Sequence, residues 1–597
     1  MRRAHSMPFG AEVADGAVRF SLWAPSVREV TLMIDGAERP MSAEADGWHR
    51  LTDPLARAGS LYRYRIEGGL SIPDPASRFQ PDDIDGPSQV VDPAAFAWTD
   101  SEWRGRRWED AVIYEAHVGT ATREGTFAAL TAKLDHLRGL GITALELLPV
   151  ADFPGDRGWG YDGVLHYAPD HAYGTPDDLK RLVDEAHRRG IMVFLDVVYN
   201  HFGPSGNYLP NYAASFFTER HQTAWGAGIN FDGATAAIVR DYFVHNALYW
   251  LEEYHFDGLR LDAVHAIADD SSRHVIGELA ERVRAGLPQR EIHLVLENAA
   301  NEAHWLDRDE TGRPVLHSAQ WTDDTHHAWH RLLTGESDGY YADYDDPAGH
   351  LGRCLAEGFA YQGEFSAHEG AVRGEPSAHL PPSAFVNFLQ NHDQVGNRAQ
   401  GERIGALTDP AKLSLARAGL LLSPQIPLLF MGEEWQASTP FQYFVDFADP
   451  ELSKAVRDGR RREFGSFGGF AAEEVPDPTD AGTFARSRLD WTEITRSPHA
   501  EVLAETKALL QLRHDQVVPL TGTTFRGANC RRPGPDTLDI RWDFAGGTLR
   551  FVAHFGAGEA VMDGPGSAGM IWGSPGIEAG SDIRLQPWTG AFLVARS

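Results

Sequence analysis

The sequence predicts an α/β fold, a (β/α)8 TIM barrel with an N-terminal β-sandwich domain and a C-terminal β-sandwich domain. The chain has 597 residues, too many for a single hydrophobic core. From Ala111 onward, apolar runs alternate with helical patterns, which is typical of a parallel sheet covered on both faces. Both ends of the chain instead carry short stretches of period two. We therefore expect domains at residues 1–98, 99–519 and 520–597.

The sequence of residues 1–98 predicts an all-β module similar to carbohydrate-binding modules. Residues 18–23 and 61–66 alternate between apolar and polar side chains. Residues 30–34 form another apolar stretch, which an Asp35-Gly36 turn signal follows. Short strands between turn signals are typical of a sandwich. Residues 72–93 are rich in Pro, Asp and Ser, and predict an irregular link.

Eight apolar runs are candidate barrel strands. They are residues 112–118, 142–150, 191–199, 256–264, 292–297, 315–321, 385–389 and 426–431. Helical patterns lie between most of them, for example at 177–189 and 236–254. Eight such units favour a closed barrel. An open doubly wound sheet is the alternative, but no Gly-rich phosphate turn follows the first run, and the sequence has no P-loop.

The last part of the chain returns to strand patterns. After a predicted helix at about 501–514, residues 537–542 and 549–554 alternate with period two, and an apolar stretch at 591–594 follows. These stretches predict a second small β domain from about residue 520 to 597.

Composition limits the partners and the location. With 54 basic and 85 acidic residues, the formal charge of −31 argues against nucleic acid and anionic membranes as partners, but not against neutral substrates. No stretch is apolar over a transmembrane length, and MRRAHSMPFG does not predict a signal peptide. The two cysteines, Cys354 and Cys530, form no disulfide framework. We expect a cytoplasmic protein, and the oligomeric state stays open.

Polar side chains collect where the predicted strands end. Catalytic groups of such barrels sit at the carboxyl ends of the strands. The residues at these ends are Asp196, Asn200 and His201 after the third run, Arg260 and Asp262 on the fourth, Glu297 after the fifth, and His392 and Asp393 after the seventh. Three carboxylates that close three separate strands predict a catalytic site.

Arg260 and Asp262 are two residues apart on a predicted strand and therefore share a face. A guanidinium beside a carboxylate keeps that carboxylate ionised and oriented. A nucleophile or an electrostatic stabiliser needs such an environment. The alternative is a structural ion pair at a strand end.

The residue types predict chemistry on acetals. Glycoside hydrolysis requires one carboxyl group that attacks or stabilises and another that protonates the leaving oxygen. Asp262 suits the first role, Glu297 suits the second, and Asp393 beside His392 could bind sugar hydroxyls. The sequence has no Ser-His-Asp pattern and no catalytic zinc spacing, so we expect no cofactor and no required metal.

Four segments carry a family resemblance. DVVYNH, GLRLDAVHA, LENA and FLQNHD resemble, in order and spacing, the conserved regions of the α-amylase family of glycoside hydrolases. The resemblance implies a retaining mechanism on α-linked glucose chains. It implies these roles: Asp262 as the nucleophile, Glu297 as the general acid/base, Asp393 as the transition-state stabiliser, and Tyr161, His201, Arg260 and His392 around the sugar at subsite −1.

Two groups of this family carry an N-terminal β module and a WGYDG segment, the branching enzymes and the maltooligosyltrehalose trehalohydrolases. PDPASRFQPDDIDGPSQVVDP and QWTDDTHHAWHRLLTGE resemble the second group. That resemblance implies hydrolysis of the α-1,4 bond next to a terminal trehalose unit of an oligosaccharide, with a branching transferase as the alternative. His265-Ala266 stands where many amylases have Lys-His, so contacts to the departing sugar should differ.

Other polar and aromatic residues have two possible roles, contact with substrate or a structural role in the fold. The resemblance makes Asp323, Asp324, His326 and His327 substrate contacts, but a polar loop with capping roles is equally compatible. Glu433 and Glu434 could order the cleft or be structural. Trp159 and Trp225 could stack on sugars or pack in the core. Asn200 matches a calcium-binding position of many amylases, but no further ligands are evident.

Overall fold

The centre of the chain is a closed barrel of eight parallel strands in the computed structural model, which describes residues 4–465, 475–577 and 580–597. The strands are β1 Ile113–Ala116, β2 Ala144–Leu147, β3 Met192–Val197, β4 Gly258–Leu261, β5 His293–Leu296, β6 Ala319–Trp321, β7 Phe385–Asn387 and β8 Ile426–Phe430. Each lies inside one of the predicted apolar runs. The predicted barrel is confirmed.

Closure and register bring the carboxyl ends of the strands to one rim. β1 pairs in parallel with β2 on one side and with β8 on the other. In the middle of the sheet, Arg260 on β4 lies opposite Asp196 on β3. Gly258 starts β4 because a Cβ atom there would lie 2.4 Å from the carbonyl oxygen of His293 on β5. Tight pairing of β4 with β5 therefore requires glycine at this position.

Helices connect the strands and cover the outside of the barrel. They are Val118–Ala121, Phe127–Thr131 and Leu134–Leu140 before β2; Pro176–Arg188 before β3; Leu209–Tyr212 and Ala236–Glu253 before β4; Val275–Gly286 before β5; Asp323–Thr334 and Pro347–Glu357 before β7; and His392–Gly396 and Pro410–Leu422 before β8. A capping box of Thr175 and Asp178 begins the helix Pro176–Arg188. The helices predicted at 177–189 and 236–254 are confirmed to within one residue at either end.

Two long loops rise from the rim beside the predicted site. After β2, the short strands Ala151–Asp152 and Leu165–Pro169 pair and enclose a loop at residues 153–164. After β3, the strands Phe217–Thr223 and Gly226–Ile229 form a hairpin. These loops carry Tyr161 and Trp225.

The N-terminal sheets pack against this rim through the irregular link. One sheet contains Gly10–Ala14, Ala17–Trp23, Ser42–Ala43 and Trp48–Asp53, and the other contains Val30–Ile34, Ala37–Pro40, Leu61–Ile66, Ser71–Ile72 and Ser88–Gln89. In the link, Asp83 Oδ2 accepts a hydrogen bond from Gly155 N at 3.1 Å. Ile84 packs in one cluster with Val164 and Leu165. The link therefore supports the loop after β2.

The chain continues from β8 into helices and ends in a second β unit. The helices are Pro450–Gly465, Ala481–Arg486, His499–Leu512 and Val518–Thr521. A five-stranded antiparallel sheet of Phe525–Gly534, Thr537–Phe544, Gly547–His554, Thr589–Arg596 and Gly569–Gly573 follows, with the paired strands Ala560–Asp563 and Asp582–Leu585. The predicted C-terminal β domain is confirmed, whereas the boundaries at 98 and 519 stay predictions. Among the described helices, none is long and apolar enough to cross a membrane.

Candidate active site

Arg260 is the centre of the site and is fully buried, with 0% of its surface exposed. Its Nη1 donates to Asp196 Oδ2 at 2.6 Å and to Asp262 Oδ1 at 2.8 Å. Its Nη2 donates to Glu297 Oε2 at 2.7 Å. The guanidinium carbon lies 4.2 Å from the ring centre of Trp321. The expected pairing of Arg260 with Asp262 is present, but the arginine in fact joins three carboxylates.

Asp262 is held from both sides. Asn200 Nδ2 donates to the backbone oxygen of Asp262 at 2.9 Å and to its Oδ2 at 2.8 Å. Arg260 binds the other carboxylate oxygen. With both oxygens engaged, the carboxylate has a fixed orientation, which a nucleophile needs before it attacks. Asn200 therefore orients Asp262.

Glu297 is fixed by a strained turn that follows Asp262. Ala263 has φ 39°, in the left-handed region that non-glycine residues rarely occupy. In this conformation its N–H donates to Glu297 Oε2 at 2.9 Å. Arg260 binds the same oxygen. The strain after β4 therefore contributes directly to the position of a carboxylate at the end of β5.

Asp393 and His392 lie on the first turn of the helix His392–Gly396, which Asn391 caps through a bond from Asp393 N at 2.9 Å. The Nε2 of His392 is 3.5 Å from Asp393 Oδ1. On the other side of the ring, Nδ1 donates to Glu115 Oε1 at 2.5 Å. Burial lowers the pKa of His392, but Asp393 and Glu115 outweigh burial and raise the pKa to about 9. His392 is therefore cationic at neutral pH and stands between two carboxylates.

Tyr161 joins two of these groups. Its hydroxyl donates to Asp196 Oδ2 at 2.6 Å, and its ring stacks on His392 with centres 5.1 Å apart. Gly160 before it has φ 102°, and a Cβ atom there would lie 2.1 Å from Pro149 O, so glycine is required for this turn. Burial raises the pKa of Asp196 to about 7, a shift that the Arg260 guanidinium opposes.

Trp159 does not lie where a sugar could stack on it. Only 5% of its surface is exposed, and its Nε1 donates to Gln442 O at 2.9 Å. Its ring stacks on Phe441 and meets His392 edge-on. The expectation that Trp159 contacts substrate is therefore corrected. Trp159 packs behind His392 because its loop turns the ring into the core.

His201 and Trp225 form one wall of the cleft. The ring of Trp225 stacks on His201 with centres 4.2 Å apart and planes 6° apart. His201 Nε2 lies 3.0 Å from Tyr161 O. Because 51% of Trp225 is exposed, its outer surface is available to a sugar. The structure thus brings Trp225 close to the predicted site.

Asp323 and His265 lie near the carboxylates that the sequence predicts to be catalytic. Asp323 Oδ1 accepts a hydrogen bond from Gln394 Nε2 at 3.2 Å. Burial raises the pKa of Asp323 to about 7, and the negative charges of Glu297 and Asp393 add to this effect. His265 is exposed, and its Nδ1 accepts from Ala299 N at 3.3 Å.

The other polar candidates are structural. Asp324 is buried and accepts hydrogen bonds from Ala360 N at 2.7 Å and Asn301 Nδ2 at 3.0 Å. His326 Nδ1 is 2.6 Å from Leu389 O. Glu434 accepts from Tyr114 and lies 3.1 Å from His136 Nε2. These hydrogen bonds favour the structural interpretation of the three residues, while Oε2 of Glu434 has no hydrogen-bond partner among the described residues.

Two further candidates, Glu433 and His327, also contact other parts of the fold. Glu433 accepts a hydrogen bond from Phe430 N at 3.2 Å, and His327 packs against Tyr340 with ring centres 4.5 Å apart.

Sequence reasoning missed Glu115 and Trp321, and gave Asp196 no role. One signal could have found Glu115. It is the only charged residue of β1, and it is buried in the barrel. Burial of a charge is unfavourable unless the charge is paired, and His392 pairs with Glu115.

Two family models match the chain. Residues 90–225 match the family described as "Alpha amylase, catalytic domain". Residues 526–592 match a family described as a domain of unknown function, DUF3459. The first match includes β1 to β3, the loop that carries Tyr161, and both Asp196 and His201.

Two relatives match most of the chain. The chain is 44% identical over 522 residues to the malto-oligosyltrehalose trehalohydrolase of Deinococcus radiodurans, a match that covers 86% of this chain and 83% of that protein. It is 42% identical over 575 residues to the enzyme of the same name from Arthrobacter ramosus, with 92% and 99% covered. By contrast, the branching enzyme of Corynebacterium jeikeium is 35% identical over only 43% of this chain and 39% of its own length.

A solved structure agrees over the whole fold. The crystal structure of a Salmonella typhimurium protein provisionally assigned as an alpha amylase superposes with a TM-score of 0.95 at 45% identity, and covers 99% of this chain and 100% of that one. The same architecture therefore exists in an experimental structure.

Proposed function

The chain belongs to the malto-oligosyltrehalose trehalohydrolase family, and from this premise we propose that Asp262 and Glu297 cleave the α-1,4 bond beside a terminal trehalose unit. The protein is a glycoside hydrolase that acts on trehalose-linked maltooligosaccharides. The products are free trehalose and a shortened maltooligosaccharide. Trehalose biosynthesis is the process in which such a reaction belongs.

In the first step, Asp262 attacks the anomeric carbon of the glucose at subsite −1. Its carboxylate is oriented by Arg260 and Asn200, so little reorganisation is needed at the moment of attack. The bond to the trehalose oxygen breaks as the covalent glycosyl-enzyme forms. The maltooligosyl chain then remains on Asp262.

Glu297 supplies the proton to the departing oxygen, and trehalose leaves. The same carboxylate then removes a proton from water, which attacks the glycosyl-enzyme from the opposite side to Asp262. Two inversions at the anomeric carbon give net retention, so the released maltooligosaccharide is first the α anomer. Arg260 and Ala263 N both bind Oε2 of Glu297 and hold the side chain in place, so Oε1 is the oxygen that carries the proton in this proposal.

The sugar at subsite −1 lies, in this proposal, between Tyr161 and Asp393. Cationic His392 and the carboxylate of Asp393 bind its hydroxyls as the ring flattens towards the oxocarbenium ion. Tyr161 offers the face of its ring, and His201 closes the side of the pocket. Asp323 and His265 are proposed to contact the trehalose that departs, because the charge of Glu297 acts on Asp323 and because His265 contacts Ala299, two residues after Glu297.

One observation carries the proposal more than any other. A single buried guanidinium binds the proposed nucleophile and the proposed acid through its two terminal nitrogens. A retaining glycosidase requires two carboxyl groups a short distance apart, and two carboxylates that share one cation at the ends of adjacent barrel strands meet this requirement.

The substrate partner is an oligosaccharide, and nucleic acid and membranes are not proposed as partners. The cytoplasmic location stays a prediction.

To test the reaction, the protein is incubated with maltotriosyltrehalose, and free trehalose is measured by chromatography, with Asp262→Asn as the control. We expect trehalose in stoichiometric yield and an α anomer in the first NMR spectra. A branching transferase would release no trehalose from maltotriosyltrehalose and, in a separate incubation with amylose, would form new α-1,6 branches. That pair of results would contradict the proposed hydrolysis.

A further inference from the structure

Two clusters in the described part of the chain bring His and Asp ligand atoms within 4.8 Å of one another, and both lie outside the catalytic centre. In one, His221 Nε2 is 2.8 Å from Asp232 Oδ2, and Arg220 pairs with Asp270 at 2.6 Å. The charges of this cluster are already balanced by direct ion pairs near the surface. The other cluster, Asp152, Asp170 and His171, differs in burial and in pairing, and we call it the loop-base cluster.

Asp152 is the unusual member of the loop-base cluster. It has no exposed surface, and neither of its carboxylate oxygens has a hydrogen-bond partner among the described residues. His171 Nδ1 lies 3.6 Å from Oδ1 of Asp152, and it too has no hydrogen-bond partner among the described residues. Burial of a carboxylate without hydrogen bonds is energetically unfavourable, so native proteins rarely leave one in this state.

The second carboxylate makes the charge imbalance larger. Asp170 is also fully buried, and its Oδ1 lies 3.8 Å from the same His171 Nδ1. Two buried carboxylates therefore face a single imidazole nitrogen.

His171 is oriented as a metal ligand would be. Its Nδ1 faces Asp152 and Asp170, whereas its Nε2 lies 3.6 Å from Oδ1 of the exposed Asp156. Metal-binding histidines commonly present the second ring nitrogen to a carboxylate, which fixes the tautomer. One imidazole nitrogen with carboxylate oxygens is a mixed donor set that suits Mn²⁺ or Zn²⁺ better than an all-oxygen set does.

We propose that Asp152, Asp170 and His171 bind a divalent cation of the Mn²⁺ and Zn²⁺ class. Asp152 ends one short strand after β2, and Asp170 directly follows its pairing partner Leu165–Pro169. The cation joins the two ends of loop 153–164, which carries Tyr161. It therefore stabilises the loop that forms part of the catalytic cleft and takes no part in the chemistry. The expectation that no metal is required for catalysis is compatible with such a structural ion.

The test measures binding directly on the full-length protein. After dialysis against a chelator and then metal-free buffer, Mn²⁺ is titrated and free Mn²⁺ is followed by electron paramagnetic resonance. We expect one site per chain, and pulsed measurements on bound Mn²⁺ should show coupling to the ¹⁴N of His171. Asp152→Asn should weaken binding by about 100-fold or more, and His171→Gln should remove the nitrogen coupling. Zn²⁺ should compete with Mn²⁺, whereas Mg²⁺ at the same concentration should not.

Asp270→Asn, in the other cluster, is the matched control and should bind Mn²⁺ as the unchanged protein does. Saturating Mn²⁺ should also raise the Tm of the unchanged protein and of Asp270→Asn by about 1–3 °C, but not that of Asp152→Asn. The proposal is overturned if the unchanged protein binds no Mn²⁺ or Zn²⁺ at 1 mM. It is also overturned if Asp152→Asn and His171→Gln bind as tightly as the unchanged protein. If either variant fails to fold, the presence or absence of ¹⁴N coupling in the unchanged protein decides the question.

Discussion

Glu115 on β1 accepts a 2.5 Å hydrogen bond from His392 Nδ1, although 277 residues separate the two in the chain. A second bond from His392 N reaches Glu115 Oε2 at 3.1 Å. Both side chains are buried. The pair fixes the orientation of the imidazole that faces Asp393, and it keeps the imidazole protonated.

We expect Glu115→Gln to move the alkaline limit of activity. Asp393 and Glu115 raise the pKa of His392 against the effect of burial, so loss of the Glu115 charge should lower that pKa. The alkaline limb of kcat/KM should shift to lower pH by about one unit. The measurement is a pH profile from 6 to 10, with the exposed Glu38→Gln as control. An unchanged alkaline limb would contradict the assigned role of Glu115.

The pH dependence of the free energy of unfolding should also report the protonation of His392. The pKa of His392 is raised from 6.5 to about 9 on folding, so its contribution to the free energy of unfolding is complete below pH 6.5. This contribution is lost as pH rises through about 9. Denaturant unfolding at pH 6.5 and at pH 9.5 should differ by less in His392→Gln than in the unchanged protein, by up to about 3 kcal/mol. Equal pH dependence in both proteins would argue against a cationic His392.

Asp262→Asn and Glu297→Gln should each lower kcat by at least about 10³-fold, because each removes a group that acts only in the transition state. Folding should change little, since both amides can still accept a hydrogen bond from Arg260. Trehalose release and thermal unfolding are measured together, with Asp15→Asn in an exposed turn as the control. A residual rate within tenfold of the unchanged enzyme would remove that residue from its proposed role.

Arg260→Met should reduce both activity and stability. The substitution leaves Asp196, Asp262 and Glu297 without their shared cation, and an uncompensated buried charge typically costs about 3–5 kcal/mol. Adding Asp196→Asn removes one of these charges and should restore part of the stability, but not the activity. Unfolding in urea measures both variants. If the second substitution destabilises further, the three carboxylates do not compete for one cation.

The sequence was sufficient for much of the fold because each strand and helix has a local signature. All eight apolar runs contain a barrel strand, and the side-chain alternation on β4 places Arg260 and Asp262 on one face without any knowledge of the rest. The residues at the strand ends follow from the same logic, since parallel strands end at one rim. Whether Asp262, Glu297 and Asp393 act as proposed is for the experiments above.

Other features could not be read from local patterns, because they depend on how distant segments pack. The match of Glu115 with His392 requires barrel closure, which joins β1 to β8 and so brings β7 near. The burial of Trp159 depends on the direction in which its loop turns, and so the sequence could not distinguish a sugar platform from a core residue.

The sequence by itself determined the barrel, the two flanking β regions and the set of strand-end acids, because periodicity and strand direction are local properties. Only the tertiary structure decided that one buried arginine serves three carboxylates, that Glu115 holds His392, and that Asp152 is buried with no hydrogen-bond partner among the described residues. Each of these depends on distances between side chains from separate elements. Such distances are set by barrel closure and loop packing, for which no short segment of the chain carries a signal.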